Sequence, residues 1–183
     1  IARVSGFGQT GPYSDRPGFA SVGEAMGGLR YINGYPDQPP PRTGLSLGDS
    51  LAGLFAVQGV LMALYWRDGE GQGKGQVIDA SIMESCFAMM ESALSEFDTV
   101  GFIREPSGTG LANVSPSNIF PTRDRKWVVI AANLDPMFKR LCQAMDQPDL
   151  AENPRYSNHQ VRGQNCDELD ALIADWTRQF TVA

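Results

Sequence analysis

Apolar and polar positions along this chain change period several times, and each change marks a predicted element. Ile1-Ala2-Arg3-Val4-Ser5 looks like a strand, and Ser5-Gly6-Phe7-Gly8-Gln9-Thr10-Gly11-Pro12-Tyr13 is a glycine-punctuated loop behind it. Val22, Ala25, Met26 and Leu29 then recur at helical spacing, and Gly27-Gly28 marks the end of that helix. The prolines between Pro36 and Arg42 make a rigid connection in which helix is not expected. The strongest pattern follows Ser46-Leu47-Gly48-Asp49-Ser50 and runs to about Trp66. Leu51, Leu54, Phe55, Val57, Leu61, Met62 and Leu64 wrap most of a helical circumference, so burial on both sides is expected. Gly53, Ala56, Gly59 and Ala63 form a small-residue strip suited to close backbone approach.

Arg67 to Gly75 reads as a glycine-rich turn and Gln76-Val77-Ile78-Asp79 as a short strand. Ser81 and Glu84 have the spacing of a capping box, opening a helix that carries Ile82, Cys86, Phe87, Met90, Leu94 and Phe97. Composition shifts near Gly101, and the stretch to Pro121 is loop-rich. Two domains are expected, 1–105 and 106–183. In the second, Lys126 to Ala132 reads as a strand, and Asp135-Pro136 as an N-cap followed by proline at the first helical position. Phe138, Leu141, Cys142 and Met145 line that helix. A last helix starts near Asn165 with Leu169, Leu172, Ile173 and Trp176. The fold class expected is α/β.

The hydrophobic share of 42% and charged share of 20% are those of an ordinary soluble globular protein. Fifteen Lys+Arg against 21 Asp+Glu give a net charge of −6, which weighs against a general nucleic-acid binder. A local basic pocket for a phosphorylated small molecule is still compatible with it. No apolar run reaches the roughly 20 residues of a membrane span, so no membrane association is expected. Cys86, Cys142 and Cys166 form neither a zinc pattern nor a disulfide framework and fit a reducing, cytoplasmic setting. The chain opens at Ile1, already in a strand, which suggests a piece of a longer protein.

Among residues able to carry chemistry, the single His159 lies in a polar loop without an obvious partner and reads as a solvated surface side chain, so no metal site is expected. Gly69-Glu70-Gly71-Gln72-Gly73-Lys74-Gly75 fails as a phosphate loop: Lys74 is followed by glycine, and the segment follows a helix rather than a strand. A tight turn is the better reading, with Lys74 a weak phosphate contact. Asp49 reads first as an N-cap of the apolar helix. A carboxylate there is also kept ionised by the helix dipole and can serve as a covalent nucleophile when neighbours position it. Gly48 and the small residues beyond would let a substrate approach.

These motifs together resemble the class III CoA-transferase family, which includes formyl-CoA transferase and the carnitine CoA-transferases. The resemblance is carried by the glycine loop with Arg16-Pro17-Gly18-Phe19, by Leu47-Gly48-Asp49-Ser50-Leu51-Ala52-Gly53 and by Gly73-Lys74-Gly75-Gln76-Val77-Ile78-Asp79. Phe120-Pro121-Thr122 before Trp127-Val128-Val129-Ile130-Ala131-Ala132 adds a fourth motif in register. It implies a central fragment of a chain more than twice as long: part of a Rossmann-like large domain and the start of a smaller α/β domain. It also implies an interlocked homodimer.

The resemblance maps the family's nucleophilic aspartate onto Asp49, and Gly48, Pro17, Gly18, Phe19 and Lys74 are the candidate substrate and CoA contacts. The implied reaction moves CoA between an acyl-CoA and a carboxylic acid through aspartyl anhydride and aspartyl-CoA intermediates. Coenzyme A and acyl-CoA are then substrates, with no permanently bound cofactor. Backbone amides near Gly48 would stabilise the oxyanions, and Ser107-Gly108-Thr109-Gly110 falls where some members carry a mobile glycine loop. The 2-methylacyl-CoA racemases share the fold but need a histidine where this chain has Phe19, which cannot exchange a proton; Asp135 falls where they place a second carboxylate. A non-catalytic CoA-binding or assembly module is the alternative from another class.

Overall fold

The computed structural model describes residues 1–182. They divide into two compact units, Ile1–Pro106 and a second that starts at Ser107, both mixing helix and strand.

In the first unit the order is β1 (Ala2–Ser5), α1 (Ala20–Met26), α2 (Leu47–Asp68), β2 (Ile78–Ser81), α3 (Ile82–Ala88) and α4 (Ala93–Val100). β1 and β2 pair in parallel, Ala2 opposite Ile78 and Ser5 opposite Ser81. Parallel strands need a long crossover, and here α1 and α2 supply it. The chain leaves β1 through the glycine loop. Met83 N–H returns to Gly6 O at 3.1 Å, and Gln9 N–H donates to the Asp79 carboxylate at 2.6 Å. The loop then doubles back so tightly that a Cβ on Gly6 would stand 2.5 Å from Gly18 Cα. No other residue type fits a backbone-to-backbone approach of that kind.

Four expectations are corrected in this unit. α2 begins at Leu47 and has 22 residues. Its most apolar window has mean hydropathy 1.6, long and apolar enough to cross a membrane by those two measures. Second, α2 is not buried on both sides. Only Gly48, Ala52 and Ala56 are buried, while Leu54, Val57, Leu61, Met62 and Tyr65 are exposed. Third, the strip that touches the rest of the unit is therefore Gly48, Ala52, Ala56 and Gly59, the last against Ile78 Cγ2; Gly53 faces open space. Fourth, the helix opened by Ser81 does not run to Phe97. Ser81 Oγ does accept the Glu84 N–H at 3.3 Å, but the helix stops at Ala88. Glu91 adopts φ 52° and α4 starts afresh at Ala93. The turn at residues 69–75 spends its amides internally: Gly71 N–H on Trp66 O, Gly73 N–H on Arg67 O and Lys74 N–H on Gly71 O.

The second unit holds β3 (Ser117–Pro121), β4 (Trp127–Ala131), α5 (Asp135–Ala144), a 3-10 turn at Pro148–Glu152, α6 (His159–Gln164) and α7 (Cys166–Thr177). β3 and β4 form an antiparallel hairpin, Ser117 opposite Ala131 and Pro121 opposite Trp127. Phe120, Phe138, Leu141, Cys142, Leu169 and Ile173 build its core. α6 was not expected. Asn158 caps it by accepting the Val161 N–H at 3.0 Å, and it supplies the buried Arg162.

Candidate active site

Asp49 is not the cap of α2. Ser46 holds that position and Asp49 is the third helical residue. Ser50 N–H and Oγ both bond Ser46 O, at 3.1 and 3.0 Å, which sets the helix start one step before Leu47. Asp49 is exposed, in the first turn, where amides without intrahelical acceptors concentrate positive potential. No hydrogen bond or ion pair engages its carboxylate among the described residues.

Gly48 lies on the opposite, inner side. A Cβ there would stand 3.0 Å from Ile82 Cγ2, 3.2 Å from Cys86 Sγ and 3.4 Å from Ala20 Cα. The glycine thus serves the packing of α2 on α1 and α3. Its N–H is aimed at Glu24 Oε1, 3.4 Å away, so this amide does not point to an oxyanion beside Asp49.

The contact of Gly48 with Ala20 brings the start of α1 beside the Asp49 turn. Phe19 is the N-cap residue of α1, with a side chain 73% exposed. Gly18 is packed on Gly6. Pro17 lines a cavity of about 310 Å³ together with Phe7, Tyr13, Arg16, Val22 and Met26. Within it the Arg16 guanidinium stands 4.4 Å from the Tyr13 ring centre, and Phe7 and Tyr13 are tilted 56° at 5.5 Å. A cation over an aromatic face suits a ligand with both phosphate and a planar ring. Lys74 is not brought to this place. It follows the far end of α2, and a 22-residue helix separates its ends by about 30 Å.

Glu24 was missed in the sequence. It is only 2% exposed, and its Oε2 takes Arg30 Nη2 at 2.7 Å. The available signal was its place in α1: Ala20, Gly23, Glu24 and Gly27 share one small-residue face, with a basic residue six positions on. Cys86, fully buried, faces this group. Burial pushes its thiol pKa up, and the Glu24 and Asp49 charges push it further.

In the second unit Asp135 is the first residue of α5 and Leu134 its N-cap, so the cap expected at Asp135 is displaced by one. The Asp135 carboxylate turns instead to Arg162, at 2.6 Å, and the guanidinium holds it below the usual carboxylate range. His159 is exposed, as expected, yet it has a partner: Nδ1 lies 3.2 Å from Asn133 O. Among the described residues no three His, Cys, Asp or Glu side chains gather in metal-binding proximity. Ser107 to Gly110 is closed on itself, Ser107 Oγ donating to Gly110 O at 2.8 Å, and Thr109 Oγ1 donates to Asn118 at 2.6 Å.

The family model described as CoA-transferase family III matches residues 1–183. Among curated proteins, the chain is 57% identical over 182 residues to "Succinyl-CoA--D-citramalate CoA-transferase" of Chloroflexus aurantiacus, covering 100% of this chain and 45% of that protein. It is 39% identical to the alpha subunit of "Succinyl-CoA--L-malate CoA-transferase" of the same organism, covering 99% and 42%. Among solved structures, a CAIB/BAIF family protein from Brucella suis superposes with a TM-score of 0.77 at 28% identity, covering 98% of this chain and 47% of that one. The chain thus spans less than half the length of the relatives it matches.

Proposed function

This chain belongs to CoA-transferase family III, and from that premise we propose that the protein containing it moves CoA from succinyl-CoA to a small hydroxy-dicarboxylate. The donor and the acceptor class follow from the names of its relatives, whose substrates are succinyl-CoA with citramalate or malate. The observation that carries the reading is Asp49: an exposed, unengaged carboxylate in the first turn of a 22-residue helix. Among the described residues no counter-ion engages it, so nothing blunts its nucleophilicity.

Asp49 attacks the thioester carbonyl, the C–S bond breaks, and CoA leaves as thiolate with a mixed anhydride on Asp49. The thiolate attacks the aspartyl carbonyl of that anhydride and expels succinate, leaving an aspartyl-CoA thioester. The acceptor carboxylate attacks this thioester and releases the thiolate again. The thiolate then takes the acceptor acyl group and frees Asp49. Each step passes an acyl group between a carboxylate oxygen and the CoA sulfur, so the acyl group stays activated as anhydride or thioester throughout and one difficult exchange is split into easier ones. In this reading Pro17, Gly18 and Phe19 border the bound acyl-CoA, and Arg16 over Tyr13 supplies a cation for a phosphate. Gly48 acts from beneath, by holding the turn. A contact from Lys74 would fall on a part of CoA remote from the thioester. Phe19, exposed beside the Asp49 turn, offers no second proton carrier and so favours transfer over racemisation.

A homodimer and a cytoplasmic setting belong to the same proposal. The exposed apolar residues of α2 call for cover, and the three cysteines are free. The test is Asp49→Asn in a polypeptide of the relatives' full length. Loss of succinyl-CoA:dicarboxylate transfer with unchanged folding is expected, since an amide cannot form the anhydride. Retained turnover with normal folding overturns the assignment.

A further inference from the structure

We propose that Glu24 is a positioning residue for Asp49, acting through the Gly48 amide. The inference rests on the reading of Asp49 as nucleophile and adds to it the part that fixes its geometry.

The starting point is a carboxylate where the packing needs none. α1 already docks on α3 through glycines. A Cβ on Gly23 would stand 2.8 Å from Ile82 Cγ2, and one on Gly27 would stand 2.8 Å from Met83 O. An apolar side chain at position 24, between these contacts, would satisfy the interior without the cost of desolvating a charge. Glu24 is there instead, 2% exposed. One oxygen is neutralised by Arg30 Nη2 at 2.7 Å, and Arg30 N–H also returns to the Glu24 carbonyl at 3.0 Å. The second oxygen is therefore held in a fixed direction, and that direction is the Gly48 N–H.

Gly48 is the second residue of α2, so its amide has no acceptor within the helix. Gly48 is itself buried, and a Cβ there would meet Ile82, Cys86 and Ala20. Glu24 Oε1 is the acceptor the fold provides. The peptide it holds is Leu47–Gly48, one residue before the peptide that enters Asp49, so the contact fixes the first turn of α2 from which the Asp49 carboxylate projects. Attack on a thioester needs the nucleophile placed within a fraction of an ångström, and a misplacement of about 1 Å costs about a hundredfold in rate.

Two substitutions separate this role from a merely structural one. Glu24→Gln keeps the reach and an oxygen acceptor for Gly48 but gives up the charge facing Arg30. Glu24→Asp keeps the charge and withdraws the oxygen from Gly48 by one methylene. Both are made in a polypeptide of the relatives' full length and followed by steady-state transfer from succinyl-CoA and by hydrogen exchange at the Gly48 amide. The expected result is kcat within about threefold of the parent for Glu24→Gln, and kcat lowered by about ten- to a hundredfold for Glu24→Asp. KM for succinyl-CoA stays unchanged in both, and Gly48 exchange accelerates only in Glu24→Asp. The reverse order, with Asp active and Gln impaired, shows that Glu24 serves only its ion pair and overturns the proposal. Unchanged kcat in Glu24→Asp with accelerated Gly48 exchange overturns it too. The exchange readout needs no turnover, so it reports the Glu24–Gly48 contact even if Asp49→Asn shows the nucleophile reading to be wrong.

Discussion

The Arg162 guanidinium is wholly buried and sets Nη2 2.6 Å from Asp135 Oδ1. The same group binds three backbone carbonyls, of Asn133 at 2.6 Å, Tyr156 at 3.0 Å and Ser115 at 3.3 Å, and lies 4.6 Å over the Phe138 ring. One side chain thus ties α5, α6 and the segment before β3 to one point. Arg162→Met strands three carbonyls and a carboxylate, and a loss of about 3–5 kcal/mol in this unit is expected. Asp135→Asn should cost about 1 kcal/mol or less, because the Asp135 side chain is 51% exposed and its partner keeps the other acceptors. Urea unfolding followed by tryptophan fluorescence, with Trp127 and Trp176 both in the second unit, measures the two. Equal losses would refute the hub role.

In the first unit, Arg104 reaches both Glu96 oxygens at 2.8 Å, and Ser92 Oγ donates to the same carboxylate at 2.7 Å. These hydrogen bonds, that from Arg104 foremost, hold the Glu96 carboxyl down to about 2 from an ordinary 4.5. The folded value is below the unfolded one, so the stabilising contribution is complete above 4.5 and is lost as pH falls through about 2. Glu96→Gln should flatten the acid limb of stability across that window. An unaltered limb in the variant would assign the acid loss to other carboxylates.

Burial orders the cysteines. Cys86 and Cys142 are fully buried, and burial is the first cause of their raised thiol pKa values. Cys166 is raised as well but partly exposed. Under native conditions an alkylating reagent at pH 8 should modify Cys166 first, with Cys86 and Cys142 reacting only on unfolding. Peptide mapping of the labelled protein checks the order, and early modification of Cys86 would contradict the packing around Gly48.

Much of the secondary structure was legible where one local rule acted alone. Ser81 with Glu84 marked a helix start, the stretch from Lys126 to Ala132 marked the strand that forms over Trp127–Ala131, and Gly27-Gly28 closed α1. Where two rules competed, the reading slipped. Ser46 and Asp49 are both cap residues by type, and only the bonds from Ser50 to Ser46 O decide between them. Met90 and Leu94 continue a helical period across a break set by the left-handed backbone at Glu91, which leaves no trace in hydropathy. Glu24 was invisible for a related reason: a charge in a helix reads as solvent-facing until the partner at Arg30 is seen to fold back on it. Asp49 itself stood out only through the motif around it, because nothing in its spacing separates a nucleophile from a cap.

Two glycines six positions apart in α2 test how that helix sits on the sheet. Gly53 has nothing within 4 Å of where a Cβ would be, and Gly59 would place one 2.8 Å from Ile78 Cγ2 and 3.3 Å from Ile78 Cγ1. Both lie in helix interior, where alanine is favoured over glycine by about 0.5–1 kcal/mol through backbone entropy. Gly53→Ala keeps that whole gain, so it should stabilise the unit by about that amount. Gly59→Ala meets a β-branched side chain on β2 that has few rotamers to offer, so overpacking should exceed the gain and leave a net loss of about 1 kcal/mol or more. Thermal unfolding of the two variants gives opposite signs if α2 lies on β2 through Gly59. Stabilisation by both would mean that the close approach of Gly59 to Ile78 does not exist and that the small-residue line of α2 faces elsewhere.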